Sequence, residues 1–321
     1  MPVECMKQDN EVWEVIIVGA GPAGCAAAMV LARCRRKVLI FDDGNPRNIK
    51  SQGIHNYLTR DGVLPSDFHK ICRSELKTYG VEVRQARVIT AKADDGIFTV
   101  ADAEGNSYQA KRLLIATGVT DIIPDIPGMQ ELWGRGVYHC PYCDGWALQD
   151  KVVGLYARKY SGYGMALALR QLADKVILFT DNARYLKVEQ RRHLDSVDVQ
   201  IVATKVSQLS CDKGKLTCVQ LSDGSSIGCN VLFVHNGVRY NNDLVLQLGG
   251  KCSAAGAILT NRQQQCNVKG VYVAGDTSFD MQFVTVAAAE GAKAAVAINN
   301  SLLQENNAIA LGYLSSVKSK R

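Results

Sequence analysis

The chain has no uninterrupted apolar run of about 18 residues, the length a helix needs to cross a bilayer, so no membrane span is expected. Its first thirteen residues lack the basic-then-apolar order of a secretory signal. Neither charge sign dominates. Lys and Arg number 37 against 31 Asp and Glu, a net charge of +6. The basic residues fall in short clusters, Arg33-Arg35-Arg36-Lys37, Arg191-Arg192-His193 and Lys318-Lys320-Arg321. That pattern reads as solvated surface and does not argue for a nucleic-acid partner. Prolines are few, seven in 321 residues.

Cysteine is not scarce, but its pattern excludes a secreted disulfide framework. The eleven cysteines are odd in number and scattered, mostly in apolar segments. A reducing, cytoplasmic setting with one special pair fits them better. Zinc would need two more ligands near Cys140 and Cys143. His139 is poorly spaced for joint ligation, and Cys211 and Cys218 do not have the spacing of a second half-site, so no metal is expected.

What is there begins with a nucleotide signature. Val12–Val18 reads as a buried strand, Gly19-Ala20-Gly21-Pro22-Ala23-Gly24 as a loop, and Cys25–Ala32 as a small-residue helix. In this order Gly19 permits the tight turn and Gly21 lets the backbone approach a pyrophosphate. Gly24 lets helix and sheet pack closely, and the helix N-terminus faces the phosphate charge. The next strand, Lys37–Phe41, ends at Asp42, placed to accept hydrogen bonds from a ribose; the alternative is a turn with Asp43-Gly44-Asn45. Two later strands extend the site: one runs into Thr117-Gly118, the other into Gly275-Asp276. Asp276 is placed to reach a flavin ribityl hydroxyl or to cap a helix. A long helix follows from about Met281, and its dipole suits charge on a reduced flavin.

The segment 122–242 starts after Pro124 and Pro127 and repeats the strand–turn–helix order. Lys151–Leu155 is its first strand, Met165–Leu172 its helix and Lys175–Phe179 its second strand. The intervening loop, Tyr156-Ala157-Arg158-Lys159-Tyr160-Ser161-Gly162-Tyr163-Gly164, lacks the first loop's glycine pattern. Side chains at Tyr156 and Arg158 should obstruct a pyrophosphate. Tyr156, Tyr160 and Tyr163 are placed either to stack on rings or to pack, and Arg158 and Lys159 to meet an anion. Asp181 stands where a reader of a 2'-phosphate should be basic. Val197–Val206, Leu216–Leu221 and Val231–Val234 read as further strands.

Between these two patterns lies His139-Cys140-Pro141-Tyr142-Cys143-Asp144-Gly145. Disulfide exchange needs a thiolate, which CxxC geometry at a helix start stabilises. Pro141 suits the first turn of such a helix. Cys140 is expected to exchange with an external substrate and Cys143 to face the flavin. Asp144 is a candidate acid or base, and His139 either a proton partner of Cys140 or a packing residue beside Tyr138.

Over nearly its whole length the sequence resembles the low-molecular-weight thioredoxin reductase family. The matching marks are Gly19–Gly24, Ala116-Thr117-Gly118, Cys140-Pro141-Tyr142-Cys143-Asp144 and Gly275-Asp276 with Gln282. The resemblance implies an α/β fold of two Rossmann-like, three-layer nucleotide-binding domains, the second inserted into the first. The boundaries expected are 1–121 and 243–321 for the FAD domain and 122–242 for the insert. It also implies a homodimer, FAD held by the glycine loop with Pro22, Ala23, Asp42, Thr117, Gly118, Gly275, Asp276 and Gln282, and electron transfer through Cys140 and Cys143. Its partner would be a small redox protein such as thioredoxin, or a small-molecule disulfide. Two marks of that family's NADPH site are absent: the second GxGxxA loop and the His-Arg-Arg cluster, where Thr180, Asp181 and Asn182 stand. NADPH is therefore not expected in the ordinary manner. The sequence looks closest to cyanobacterial diflavin-linked disulfide oxidoreductases, which implies a second FAD in the insert, with Tyr313 covering a flavin ring. The competing expectations are a ferredoxin donor and a dithiol oxidase that passes electrons to oxygen.

Overall fold

A computed structural model describes residues 8–278 and 281–318, with side chains over 11–278 and 281–308. The side chain of Tyr313 lies outside the described residues. The chain divides into two compact units, one of 1–47, 66–120 and 240–321, the other of 48–65 and 121–239.

The first unit is built on strands β1 (Gln8–Val18), β2 (Val38–Asp42), β3 (Glu82–Gln85), β4 (Val88–Asp94), β5 (Ile97–Asp102), β6 (Ser107–Ile115) and β17 (Val271–Val273). β3, β2, β1, β6 and β17 are parallel neighbours in that order, and β5 and β4 add an antiparallel meander to the other end of β6. Period-two alternation sends Val15 and Ile17 into one apolar layer and Ile16 and Val18 into the other. Burial on both faces explains why β1 reads as a continuous apolar run. Helices α1 (Pro22–Arg33), α2 (Pro65–Thr78) and α7 (Val284–Lys318) belong to this unit, as does the short α6 (Asp243–Gln247). Small residues let α7 approach α1 closely: a Cβ on Gly291 would fall 2.0 Å from the carbonyl oxygen of Ala23.

The second unit has a five-stranded parallel sheet in the order β11 (Val199–Val202), β10 (Lys175–Phe179), β9 (Val152–Ala157), β15 (Val231–His235), β8 (Val137–Tyr138). A separate antiparallel sheet is formed by β12 (Val206–Asp212), β13 (Lys215–Leu221) and β14 (Ser226–Gly228). Helices α3 (Pro141–Asp144), α4 (Gly162–Arg170) and α5 (Val188–Ser196) complete it. The two passages of chain between units, β7 (Val119–Asp121) and β16 (Val238–Tyr240), pair as a two-stranded ribbon. The fold is α/β, with two Rossmann-like sheets.

Two expectations are corrected. Val197–Val206 is not one strand: β11 ends at Val202 and β12 begins at Val206. The break follows from Thr180 and Asn182, whose N–H groups bind the carbonyls of Val202 and Ala203 and turn the chain away. Helix α4 starts three residues before Met165, at Gly162. That start needs glycine: a Cβ there would lie 2.6 Å from that of Ala157.

No described helix is long and apolar enough to cross a membrane. Among the described residues, no three His, Cys, Asp or Glu side chains are grouped to hold a metal ion.

Candidate functional site

In the first unit the glycine loop joins β1 to α1. Gly19 has φ +105°, and a Cβ there would sit 2.3 Å from the carbonyl oxygen of Ala116. A Cβ on Gly24 would fall 1.8 Å from the carbonyl oxygen of Gly19, so strand and helix meet backbone to backbone. A Cβ on Gly21, by contrast, meets nothing within 4 Å. Gly21 is the N-cap of α1, no side chain caps that helix, Pro22 opens it, and Ala23 is buried behind it. Open space over unshielded helix amides is the cradle a dinucleotide pyrophosphate requires. The residues present fit FAD at this loop.

Around the cradle the acids are already engaged. Asp42 Oδ1 accepts from the N–H of Gly44 at 3.1 Å, and its Oδ2 pairs with Arg73 of α2. Arg47 donates to Asp276 Oδ2 at 2.9 Å and to Gln282 Oε1 at 2.8 Å, bringing together two predicted residues. Gly275 donates its N–H to Glu290, a buried carboxylate on α7 that also accepts from Ser278. Thr117 donates to the carbonyl of Asn241 at 2.5 Å, and Gly118 donates to Thr277 at 2.6 Å. Arg47, Arg73, Thr277 and Glu290 hold the predicted residues in place and were not among those expected from the sequence.

In the second unit Cys140 and Cys143 form a disulfide, with Cα atoms 5.3 Å apart. Cys140 is the N-cap of α3, its sulfur accepts the N–H of Cys143 at 3.1 Å, and Pro141 occupies the first turn. Asp144 follows on the same helix. Burial pushes its carboxyl up to about 6, against a smaller pull downward from His55. The His139 ring stacks on that of Trp133, centroids 6.0 Å apart and planes 9° from parallel. The segment 48–65 holds the turn from outside: Asn56 donates to the carbonyl of Tyr142 at 2.9 Å. A Cβ on Gly134 would lie 2.4 Å from the carbonyl oxygen of Lys50, so this segment packs directly on the chain ahead of β8. Exposed Tyr142 lies between the two cysteines, and exposed Trp146 follows Cys143 by three residues.

The same unit carries the altered loop between β9 and α4. Tyr156 is buried and points away from the α4 side of the sheet. Its hydroxyl donates to Asp181 Oδ2 at 2.9 Å, and the N–H of Val206 donates to Oδ1 at 2.9 Å. Arg158 Nε lies 3.5 Å from Oδ2. Asp181 and Asn182 both have positive φ, +52° and +62°, which directs the carboxylate inward. Desolvation, then Asp181 itself, pushes the Tyr156 hydroxyl up to about 12. Tyr185 donates to the carbonyl of Ala157, and a Cβ on Gly162 would lie 2.7 Å from its hydroxyl. Tyr156 is thus a core hydrogen-bond donor, not a stacking platform. Tyr163 bonds His193 at 2.6 Å, and Tyr160 is exposed.

Two Rossmann-like sheets, the first with an open glycine-loop cradle, and a CxxC disulfide define a flavin-dependent disulfide oxidoreductase. Residues 13–291 match the family model for pyridine nucleotide-disulphide oxidoreductases, and the chain belongs to that family. It is 31% identical to a "Probable thioredoxin reductase" of Arthroderma benhamiae, over 94% of this chain and 83% of that one. It is 28% identical to "Thioredoxin reductase tcpT" of Claviceps purpurea, over 93% of this chain and 97% of the relative. The solved structure of HlmI superposes with TM-score 0.92 at 32% identity, covering 98% of this chain and 99% of that one. The family implies FAD and, typically, NADPH.

Proposed function

We propose that this chain oxidises dithiols at the Cys140–Cys143 disulfide and that the electrons pass to oxygen rather than arriving from NADPH. The observation that carries this reading is the closed acid of the second unit. Asp181 stands where a 2'-phosphate would need a cation, and its oxygens already accept from Tyr156 and Val206. An incoming phosphate would meet a buried carboxylate, and an incoming ribose would have to displace a buried hydrogen bond. The same lock speaks against a second FAD bound through that acid, so the reading uses one FAD, held at Gly19–Gly24 with Asp42, Thr117, Gly118, Gly275, Asp276 and Gln282 around it.

The protein's own chemistry is exchange. A substrate thiolate attacks Cys140 Sγ, the Cys140–Cys143 bond breaks, and Cys143 leaves as thiolate. The second substrate thiol attacks the mixed disulfide, releasing the oxidised substrate and Cys140. Asp144, with its carboxyl near 6, holds or returns the proton that Cys143 needs as a leaving group. Bound FAD supplies the two-electron chemistry that restores the disulfide. The overall balance is one dithiol plus one dioxygen to one disulfide plus one hydrogen peroxide. The names of the thioredoxin reductase relatives support a small redox protein as the exchange partner.

The test is oxygen consumption by the flavin-loaded protein with a reduced dithiol and no other addition. Equal yields of disulfide and peroxide are expected. No oxygen uptake until NADPH or reduced ferredoxin is supplied would overturn the reading and assign the donor.

A further inference from the structure

One edge of the second unit carries a charge that the exchange chemistry does not use. Strands β8, β15, β9, β10 and β11 are parallel neighbours, so the segments that follow them all emerge at the same carboxyl edge. The Cys140–Cys143 disulfide follows β8. Arg158 and Lys159 follow β9, Arg184 and Lys187 follow β10, and Lys205 follows β11. All five are exposed. Arg158 lies 3.5 Å from Asp181, whereas Lys159, Arg184, Lys187 and Lys205 pair with no carboxylate among the described residues.

The cations form one surface rather than separate points. Tyr185, between Arg184 and Lys187, donates to the carbonyl of Ala157, the residue before Arg158, at 3.0 Å. A Cβ on Gly237, just past β15, would lie 3.9 Å from the Lys159 ammonium, so this cation leans over the strand next to β8. The acids in these segments are withdrawn: Asp181 is buried and bonded, and Asp144 is half-buried. Exposed Glu189, in the first turn of α5, is followed at once by Gln190, Arg191 and Arg192. Helices α4 and α5 also begin at this edge, and the positive ends of their dipoles add to the same sign.

We propose that this edge is the docking surface for an acidic protein whose dithiol exchanges with Cys140–Cys143. The inference rests on the exchange reading above and adds the partner's surface chemistry to it. Width argues for a protein. From the end of β8 to the end of β11 is four strand spacings, about 19 Å. A small dithiol at Cys140 cannot touch cations spread over that width, whereas a protein face of about 800 Å² covers them together with the disulfide. Opposite charge on that face speeds encounter and fixes its orientation, and salt removes the gain.

The experiment mixes the full-length, flavin-loaded protein, oxidised and anaerobic, with either of two reduced dithiols. One is thioredoxin of net negative charge and the other is uncharged dithiothreitol. Oxidation of each is followed by acid quench and alkylation, at low and at high ionic strength. Thioredoxin oxidation should slow about tenfold or more at high salt, and by a similar factor in Lys159→Glu/Arg184→Glu/Lys205→Glu at low salt. Dithiothreitol oxidation should change less than about twofold in both comparisons. Thioredoxin rates indifferent to salt and to charge reversal, with dithiothreitol still oxidised, would overturn the docking surface and leave the exchange reading standing. Failure of dithiothreitol to be oxidised would instead sink the exchange reading, and the docking surface with it. A labelled oligonucleotide held by the wild type and released by the triple variant, with thioredoxin indifferent, would reassign the edge to nucleic acid and overturn the proposal. The salt comparison uses the wild type alone, so it decides the matter even where the variant does not fold.

Discussion

The two β–loop–α units of this chain share a topology and differ in what fills the loop. In the first, Gly21 faces open space at the N-terminus of α1. In the second, Tyr185 lies against Gly162 at the start of α4, and Tyr156 reaches across the neighbouring strand to Asp181. Each unit keeps an acid after its second strand. Asp42 is half-buried at a turn with Arg73 beside it; Asp181 is a buried structural acceptor. Under the proposed reading, the difference is that of a dinucleotide fold that outlasts its dinucleotide site. The parallel sheet and its two apolar layers need only apolar strands and a close helix, whereas binding needs open backbone and an unengaged reader of the ribose.

The contrast is most sharply broken at Gly21. Gly21→Ala should leave far-UV circular dichroism unchanged, because the added Cβ has no atom within 4 Å from beyond its chain neighbours, yet it should reduce bound FAD to near zero. Retained FAD would show that the open space is not the cradle. Next in size is Cys140→Ser, which should keep FAD and lose dithiol turnover on the order of a thousandfold or more. Retained turnover would move the exchange role to Cys143.

On the closed side, Tyr156→Phe removes one donor from a buried carboxylate. Unfolding in denaturant should show a loss of about 1–3 kcal/mol. The variant should gain no NADPH-driven reduction, because Asp181 and Val206 remain as they are. A stability loss near zero would mean that the lock carries nothing.

Asp144 gives a smaller, pH-resolved effect. Its folded carboxyl titrates near 6, above the usual carboxylate value, so it is protonated below that pH and ionised above it. The sign for stability follows: ionisation is disfavoured in the fold, so the stability associated with the protonated form is lost as pH rises from about 4 through 6. Asp144→Asn should flatten both the stability slope and the exchange-rate inflection in that interval. An unchanged pH–rate profile would remove Asp144 from proton handling. Smallest is Asn56→Gly, which tolerates the φ of +63° at this position and deletes the side-chain hydrogen bond to Tyr142, and should cost about 0.5–1.5 kcal/mol, read as a lower melting temperature.

How much of this was legible in the sequence depends on how local each signal is. The first cradle was legible because strand, glycines and helix are contiguous, and the α3 start because Cys140 and Pro141 are adjacent. The conflict in the second loop was legible as bulky residues where glycines belong. Its resolution was not: Tyr156 finds Asp181 across neighbouring parallel strands, 25 residues away. Arg47 reaches Asp276 across 229 residues, and Glu290 meets Gly275 only because α7 folds back on α1. None of these pairs has a periodic or spacing signature. The split of Val197–Val206 was hidden for a related reason, since it is imposed by backbone bonds from Thr180 and Asn182.

The central claim, that the second nucleotide site is closed and the electrons enter as thiols, is tested most directly by an anaerobic titration of the bound flavin. The account predicts that a dithiol bleaches the flavin stoichiometrically through Cys140 and Cys143, and that NADPH leaves its absorbance unchanged. Rapid bleaching by NADPH would contradict it.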